Sequence, residues 1–325
     1  MNTKSLDKNL LLLDDQRIGN YKQLKAIAHF LKSDYQIQEL KLNFNSWIKI
    51  PNILHFPKSI AVKNSHKIIS QIKSPNLILS CGRRSAPFAV WLKYKFPNSQ
   101  IIQILNPNLP CKYFDKIITP KHDNFQNAAY QYFLPPNLEN METLAKKTAG
   151  FEYLKSVNEE KLCIIIGGSS KNKKLTNKEF ENFQNLIDFI SSIQNQKILL
   201  TTSRRTDKEL LNIIDSAITK NNNIESYLYR DNDEKNPYGA FLYYADKIIV
   251  TGDSISMVAD AIMTKKPVLI YDDFAGKKQL AFLKQIYKNQ YALKFTESVK
   301  IDDFEKIKKY QINEAEEIAN LIKKL

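Results

Sequence analysis

At 325 residues the chain is longer than one hydrophobic core conveniently fills, and 43% apolar with 11% aromatic residues marks it as globular rather than disordered. No apolar run approaches the ~18 residues that span a bilayer, and the N-terminal apolar stretch turns acidic too soon for a signal peptide, so a cytoplasmic protein, at most peripheral to the inner face of a membrane, is expected. The net charge of +14 comes from lysines scattered among acids, without a nucleic-acid-binding motif, so nucleic acid is not an expected partner.

The elements follow a strand-then-helix rhythm. LLLLDD (10–15) predicts a strand, and residues 20–33 a helix with Leu24, Ile27, Ala28 and Leu31 on one face. A strand at 36–42, a Pro- and Asn-punctuated stretch at 43–64 and a short helix near 66–72 come next. NLILSC (76–81) reads as a strand ending in the loop CGRRSAP, before a helix at 88–96 and strands at 100–105 and 113–120. Residues 135–160 are polar and carry Pro135, Pro136 and Gly150, the pattern of an inter-domain connection. A second series then begins: a strand LCIIIGG (162–168), a helix with Phe180, Phe183, Leu186, Ile187 and Ile190 in one stripe, and QKILLTTSRRT (196–206). A helix at 207–218, a strand at 226–230, the block 236–273, and helices across 276–288 and 303–324 complete it. Two such series predict an α/β protein with two doubly wound parallel sheets, helices on both faces of each. The expected domains are 1–150, 151–300 and a C-terminal helix at 301–325.

Five of the eight glycines follow short apolar runs: Gly19, Gly82, Gly167, Gly168 and Gly252. All six arginines do too, against 42 lysines: Arg17, Arg83, Arg84, Arg204, Arg205 and Arg230. Ligands of open α/β sheets bind beyond the carboxyl ends of strands, and guanidinium suits bidentate binding of phosphate or carboxylate. Arginines also cap structure and pair with surface acids, the alternative to a site. Cys81, Cys111 and Cys163 lack paired spacing and read as small residues in a reducing compartment; no metal site is expected.

Two segments carry possible chemistry. In IIIGGSSK, two glycines and the serines Ser169 and Ser170 before a helix make a diphosphate cradle in kind, though neither a Walker A loop nor a GxGxxG fingerprint is present. In VTGDSISMVADAI, Gly252 and Asp253 permit a turn, Ser254 is a good N-cap, and Asp260, about two turns in, could accept ribose hydroxyls or be a solvated helix residue.

Taken together, IIIGGSSKNKKLTNKEFENF, TTSRRTDKELLNII and NPYGAFLYYADKIIVTGDSISMVADAIMTKKPVLIYDD resemble successive motifs of the mitochondrial-fission ELM (elongated mitochondria) family. DDQRIGNYKQLKAIAHFL, LSCGRRSAPFAVWL and FDKIITPKHD fit the same order. The resemblance runs from about residue 10 to about 275. It implies a GT-B-like fold of two Rossmann-like domains facing a cleft, the N-terminal one on the acceptor side and the C-terminal one on the nucleotide-sugar side. Gly167, Gly168, Ser169 and Ser170, with Arg204 and Arg205, would meet phosphate, and Ser254, Met257 and Asp260 the nucleotide-sugar. Position 260 is Asp where the family usually has Glu, a carboxylate one methylene shorter.

The resulting expectation is a metal-independent glycosyltransferase-like protein, with the nucleotide-sugar as donor substrate, no separate cofactor, and an envelope or lipid-linked acceptor. The alternative is a non-catalytic adaptor on the same scaffold at a membrane or division site. Transfer requires a base for the acceptor hydroxyl, and His122, Asp123 and Asp15 are the candidates. His122 is preferred because neutral imidazole accepts a proton near pH 7, with Asp123 orienting it, although HD could simply end a strand.

Overall fold

The computed structural model describes residues 8–54, 60–170, 173–219, 223–228, 236–296 and 305–325. They form two compact units, one of residues 1–138 with 312–325 and the other of residues 139–311. The units thus divide at 138/139 and 311/312, whereas the composition of the chain placed the boundaries at 150 and 300.

The first unit is a six-stranded sheet of order β2-β1-β3-β4-β5-β6. Its strands are β1 (Asn9–Asp14), β2 (Gln36–Lys41), β3 (Leu77–Cys81), β4 (Gln100–Ile104), β5 (Lys116–Pro120) and β6 (Tyr130–Tyr132), and every pairing is parallel. Alternation along β1 sends Leu10 and Leu12 into one core and Leu11 and Leu13 into another. The first core is closed by α1 (Ile18–His29), the second by α3 (Gly82–Lys95), so the sheet is covered on both faces.

Three local outcomes depart from the periodicity. The helix expected at 88–96 starts at Gly82, with Pro87 inside it. Pro87 has no N–H for the Arg83 carbonyl four residues back, and the buried side chain of Asn52 donates to that oxygen instead (2.7 Å). Strand β6 is too short to carry a sequence signal, and pairs Ile118 with Tyr130. Of the expected helix at 303–324, whose residues 303 and 304 lie outside the described residues, only Glu314–Lys323 (α10) is a long helix; before it buried Tyr310 meets the Tyr291 ring edge-on at 4.9 Å. Glu314 accepts from the Tyr130 hydroxyl and the Phe133 amide, both at 2.7 Å, while Ala315, Ile318, Ala319 and Ile322 join the core beneath α1.

The second unit has the sheet order β12-β11-β10-β7-β8-β9, again all parallel. Its strands are β7 (Glu160–Ile166), β8 (Gln196–Thr202), β9 (Ile224–Tyr227), β10 (Lys247–Thr251), β11 (Val268–Tyr271) and β12 (Leu293–Lys294). Arg230, at the end of the strand expected at 226–230, lies outside the described residues. Counted from β7 the order is the 3-2-1-4-5-6 of dinucleotide-binding sheets, with its switch point between β7 and β10. Helices α4 (Met141–Ala145), α5 (Asn177–Ser192), α6 (Lys208–Ile218), α7 (Tyr238–Tyr244), α8 (Ile255–Met263) and α9 (Lys277–Lys288) belong to this unit. The aliphatic stripe of α5 packs on Leu162, Ile164 and Ile166 of β7. Among the described residues no helix is long and apolar enough to cross a membrane.

Lys266, just before β11, caps the end of α7 by donating to the carbonyls of Leu242 (2.7 Å) and Tyr243. Burial lowers its pKa from 10.5 to about 8. Between those values the unfolded chain holds a proton that the folded chain has lost, so this group makes stability rise with pH across that window, by about 3 kcal/mol in all. Below pH 8 its contribution is flat. Urea melts of the wild type and Lys266→Met from pH 7 to 10 should show that slope in the difference between the two; parallel curves would remove the assignment.

Candidate functional site

The switch point of the second sheet gathers the loops after β7, β8 and β10 around one carboxylate, Asp253. It accepts from the Thr251 hydroxyl (2.7 Å), the Gly168 amide (3.3 Å) and the Arg205 guanidinium (2.7 Å). Its side chain is only 3% exposed, against 38% for Arg205. Burial raises the Asp253 pKa, and the Thr251 hydroxyl, the Arg205 charge and the Gly168 amide oppose that rise. The Thr251 hydroxyl accepts from the Gly167 amide (2.7 Å), and the Thr206 hydroxyl donates to the Gly167 carbonyl (2.8 Å).

This packing explains the paired glycines. Neither has a left-handed φ. A Cβ at Gly167 would stand 2.0 Å from an Asp253 carboxylate oxygen, and one at Gly168 2.2 Å from the Arg205 carbonyl. Both are glycine for close approach, not for a turn. Gly19, by contrast, lies inside α1 with nothing within 4 Å of its would-be Cβ, so its place after an apolar run has no steric meaning.

The amides of the Gly-Gly-Ser loop are already engaged. Gly167 donates to Thr251, Gly168 to Asp253 and Ser169 to the Asp207 carboxylate (2.9 Å). The Ser169 and Ser170 hydroxyl oxygens accept from the amides of Leu175 (3.0 Å) and Lys173 (3.1 Å). Groups facing outward are the Arg204 side chain, exposed and without an ion pair among the described residues, and the start of α8. There Ser254 caps the Met257 amide, while the first-turn amides of Ile255 and Ser256 have no intrahelical acceptor, as at any helix start. Ser254, Met257 and Asp260 follow at spacings of three and lie along one stripe. Asp260 is half-buried and accepts from the Tyr238 hydroxyl (3.1 Å). Burial and the Asp260 charge hold that hydroxyl protonated well above its ordinary range.

In the first unit the candidate bases do not meet. Asp15, 1% exposed beyond β1, accepts from the Arg17 amide (3.1 Å) and the Asn20 side chain (3.0 Å). Burial raises its pKa, against those two bonds and the Arg84 and Arg17 charges. His122 and Asp123 lie beyond β5, and β3 and β4 intervene, three strand spacings or roughly 14 Å. His122 Nε2 is 3.6 Å from Asp123 Oδ1, with side-chain exposures of 4% and 22%. The imidazole is thus shut in, and the carboxylate beside it is the more accessible partner. Among the described residues no cluster of three His, Cys, Asp or Glu is arranged to hold a metal.

The residue that sequence reasoning missed is Asp253, read there as a turn former. Its signal was a carboxylate directly after the strand at the switch point, but its partners lie 48 and 85 residues away along the chain.

Several known proteins share this architecture. The crystal structure of UDP-GlcNAc 2-epimerase from Neisseria meningitidis bound to UDP-GlcNAc superposes with a TM-score of 0.62 at 11% identity, over 97% of this chain and all of that one. MurG of Acinetobacter baumannii gives 0.58 at 10% identity over 98% of this chain and 100% of that one, and the fold is GT-B-like. An uncharacterized protein of Rickettsia prowazekii (strain Madrid E), RP120, is 31% identical over 97% of this chain and 98% of its own length. The sequence profile described as Mitochondrial fission ELM1 matches residues 18–325, taking in every strand but β1, the Asp253 hub and α10, and by that match the chain belongs to the mitochondrial fission ELM1 family.

Proposed function

We propose that the second unit binds a nucleotide-sugar at the carboxyl edge of its sheet, as donor substrate without a further cofactor, and that the protein is a metal-independent glycosyltransferase acting on an envelope or lipid-linked acceptor. The observation that carries this reading is the convergence of the β7, β8 and β10 loops at the switch point, where such sheets take their ligands. The fold relative from Neisseria meningitidis, with UDP-GlcNAc bound, supports it.

In this reading the glycine loop shapes the site and does not itself donate to the diphosphate, since its amides are engaged. Arg204 and the positive start of α8 meet the phosphates, balancing the charge of a leaving diphosphate without a metal. Asp260, held by Tyr238, takes the ribose hydroxyls. Arg205 neutralises Asp253 and so keeps a buried negative charge from repelling the ligand. On the acceptor side the proton goes to Asp123, the more accessible of the pair, and His122 positions it. A lipid-linked acceptor would bring the protein to a membrane surface as a peripheral visitor.

Calorimetric titration with a panel of UDP-, GDP-, ADP- and CMP-sugars tests the reading. One class should bind saturably, and Arg204→Ala should weaken it by about 1.5–3 kcal/mol, the size of a hydrogen bond to a charged group. The melting temperature of that variant should stay at the wild-type value, because Arg204 is exposed. Absence of binding across the panel, or full affinity in Arg204→Ala, would defeat the proposal or the Arg204 role respectively.

A further inference from the structure

The first unit holds a cavity of about 1020 Å³ beside the carboxyl ends of β1 and β2, walled by Asn43 and Phe44, by Lys63 and Asn64, and by the short helix α2 (Ser65–Ile69). Four cations line it, Lys41, Lys63, Lys67 and Arg84, and no Asp or Glu does. The chain as a whole carries 34 acids to 48 bases, so a lining with cations alone is a local departure from its general basicity. None of the four forms an ion pair with a carboxylate among the described residues. The Arg84 guanidinium lies over the Phe44 ring at 4.5 Å from its centroid, which fixes the plane of its donors. The carboxylate of Asp15 attracts Arg84, and the guanidiniums of Arg17 and Arg83 oppose that attraction. Cations that line one cavity with no carboxylate among the lining residues repel one another, and a bound anion relieves that repulsion.

We propose that this cavity is a binding site for a phosphate-bearing molecule, with Arg84 gripping the phosphate oxygens as a fork and Lys41, Lys63 and Lys67 supplying mobile charge around it. The volume exceeds what a lone ion requires, and the Phe44 ring offers an apolar wall to whatever the phosphate is attached to. The shared chemistry is a phosphomonoester or diphosphate; its source is either a lipid headgroup or a soluble metabolite. Binding here stands on the cavity alone, and only naming the ligand as the acceptor rests on the transfer reading above.

The test uses the full chain and inorganic pyrophosphate as probe. Pyrophosphate should bind saturably and raise the melting temperature. Lys63→Gln with Lys67→Gln, both at exposed positions, should weaken it by about tenfold or more while the fold is kept. Arg84→Lys keeps the charge but not the fork, and should also bind less tightly. Lys284→Gln with Lys288→Gln removes the same charge from the exposed face of α9 and should bind like the wild type. Pyrophosphate affinity equal in all four proteins, or no saturable binding, overturns the site. Co-sedimentation with phosphatidylcholine vesicles containing phosphatidic acid, lost in the Lys63/Lys67 variant, assigns the lipid source; pyrophosphate binding without it assigns the soluble one. Nucleotide-sugar titration of the same variant should match the wild type, so failure of this cavity and failure of the second-unit site are read separately.

Discussion

Gly168→Ala should lower the stability of the second unit by at least about 3 kcal/mol, the upper end of the ordinary range for overpacking. The new methyl would fall 2.2 Å from the Arg205 carbonyl and 2.7 Å from Thr206 Cα, and both obstacles are backbone. Neither can rotate away as a side-chain tip would. Relief requires the β7 and β8 loops to separate, and that withdraws the Gly168 amide from Asp253 and the Thr206 hydroxyl from Gly167. For a unit of this size the corresponding fall in melting temperature is about 6–12 °C, readable by circular dichroism. The matched comparison is Gly19→Ala, at an open helical position, where alanine should be neutral or stabilise by up to about 1 kcal/mol. Equal behaviour of the two variants would mean that the close approach at Gly168 is absent.

Arg205→Ala should be the other costly change, and it separates two adjacent arginines that look equivalent along the chain. It leaves Asp253 as a buried carboxylate without its counter-ion, a defect that costs about 3–5 kcal/mol when both partners are buried. Arg205 is 38% exposed, so water replaces part of its effect and about 2–3 kcal/mol is expected. Arg204→Ala should cost almost nothing. The defect also has a pH signature. The folded pKa of Asp253 already lies above its unfolded value of 3.8, so its contribution favours folding at low pH and is lost as pH rises through the folded value. Removing Arg205 raises that folded value further, and the deficit of the variant should therefore shrink on acidification toward 3.8. Adding Asp253→Asn should recover part of the loss at neutral pH, because an amide carries no charge to strand. A deficit that ignores pH and is not eased by the second substitution would show that the ion pair does not hold the loops together.

The sheets were legible because buried parallel strands write themselves as short, continuous apolar runs. LLLL in β1 and LCIII in β7 need no distant partner to be read, and the stripe of Phe183, Leu186, Ile187 and Ile190 is a local fact of helical spacing. What escaped depends on groups remote in sequence. Pro87 counts locally against a helix and is accommodated only because Asn52 reaches the orphaned carbonyl from 31 residues away. His122 next to a carboxylate looks like an available base, yet exposure is a tertiary property, and its side chain is enclosed. The paired glycines pointed to the right place for a reason different from the expected one: they admit a carboxylate instead of offering their amides to an anion.

The tether of Glu314 to Tyr130 and Phe133 carries a consequence for how the protein is made. Residues 139–311 form a uninterrupted stretch, so the second unit can complete itself as soon as that length has left the ribosome. The first unit, begun earlier, lacks Ala315, Ile318, Ala319 and Ile322 until the whole of the second unit has been made. At typical translation speeds the interval is on the order of ten to forty seconds, during which the face of Leu24, Ile27 and Leu31 is without its final cover. Of the two units, the one begun earlier is therefore completed later, and the nascent chain passes through a window in which the core of the first unit is the more open to chaperones or to mispairing.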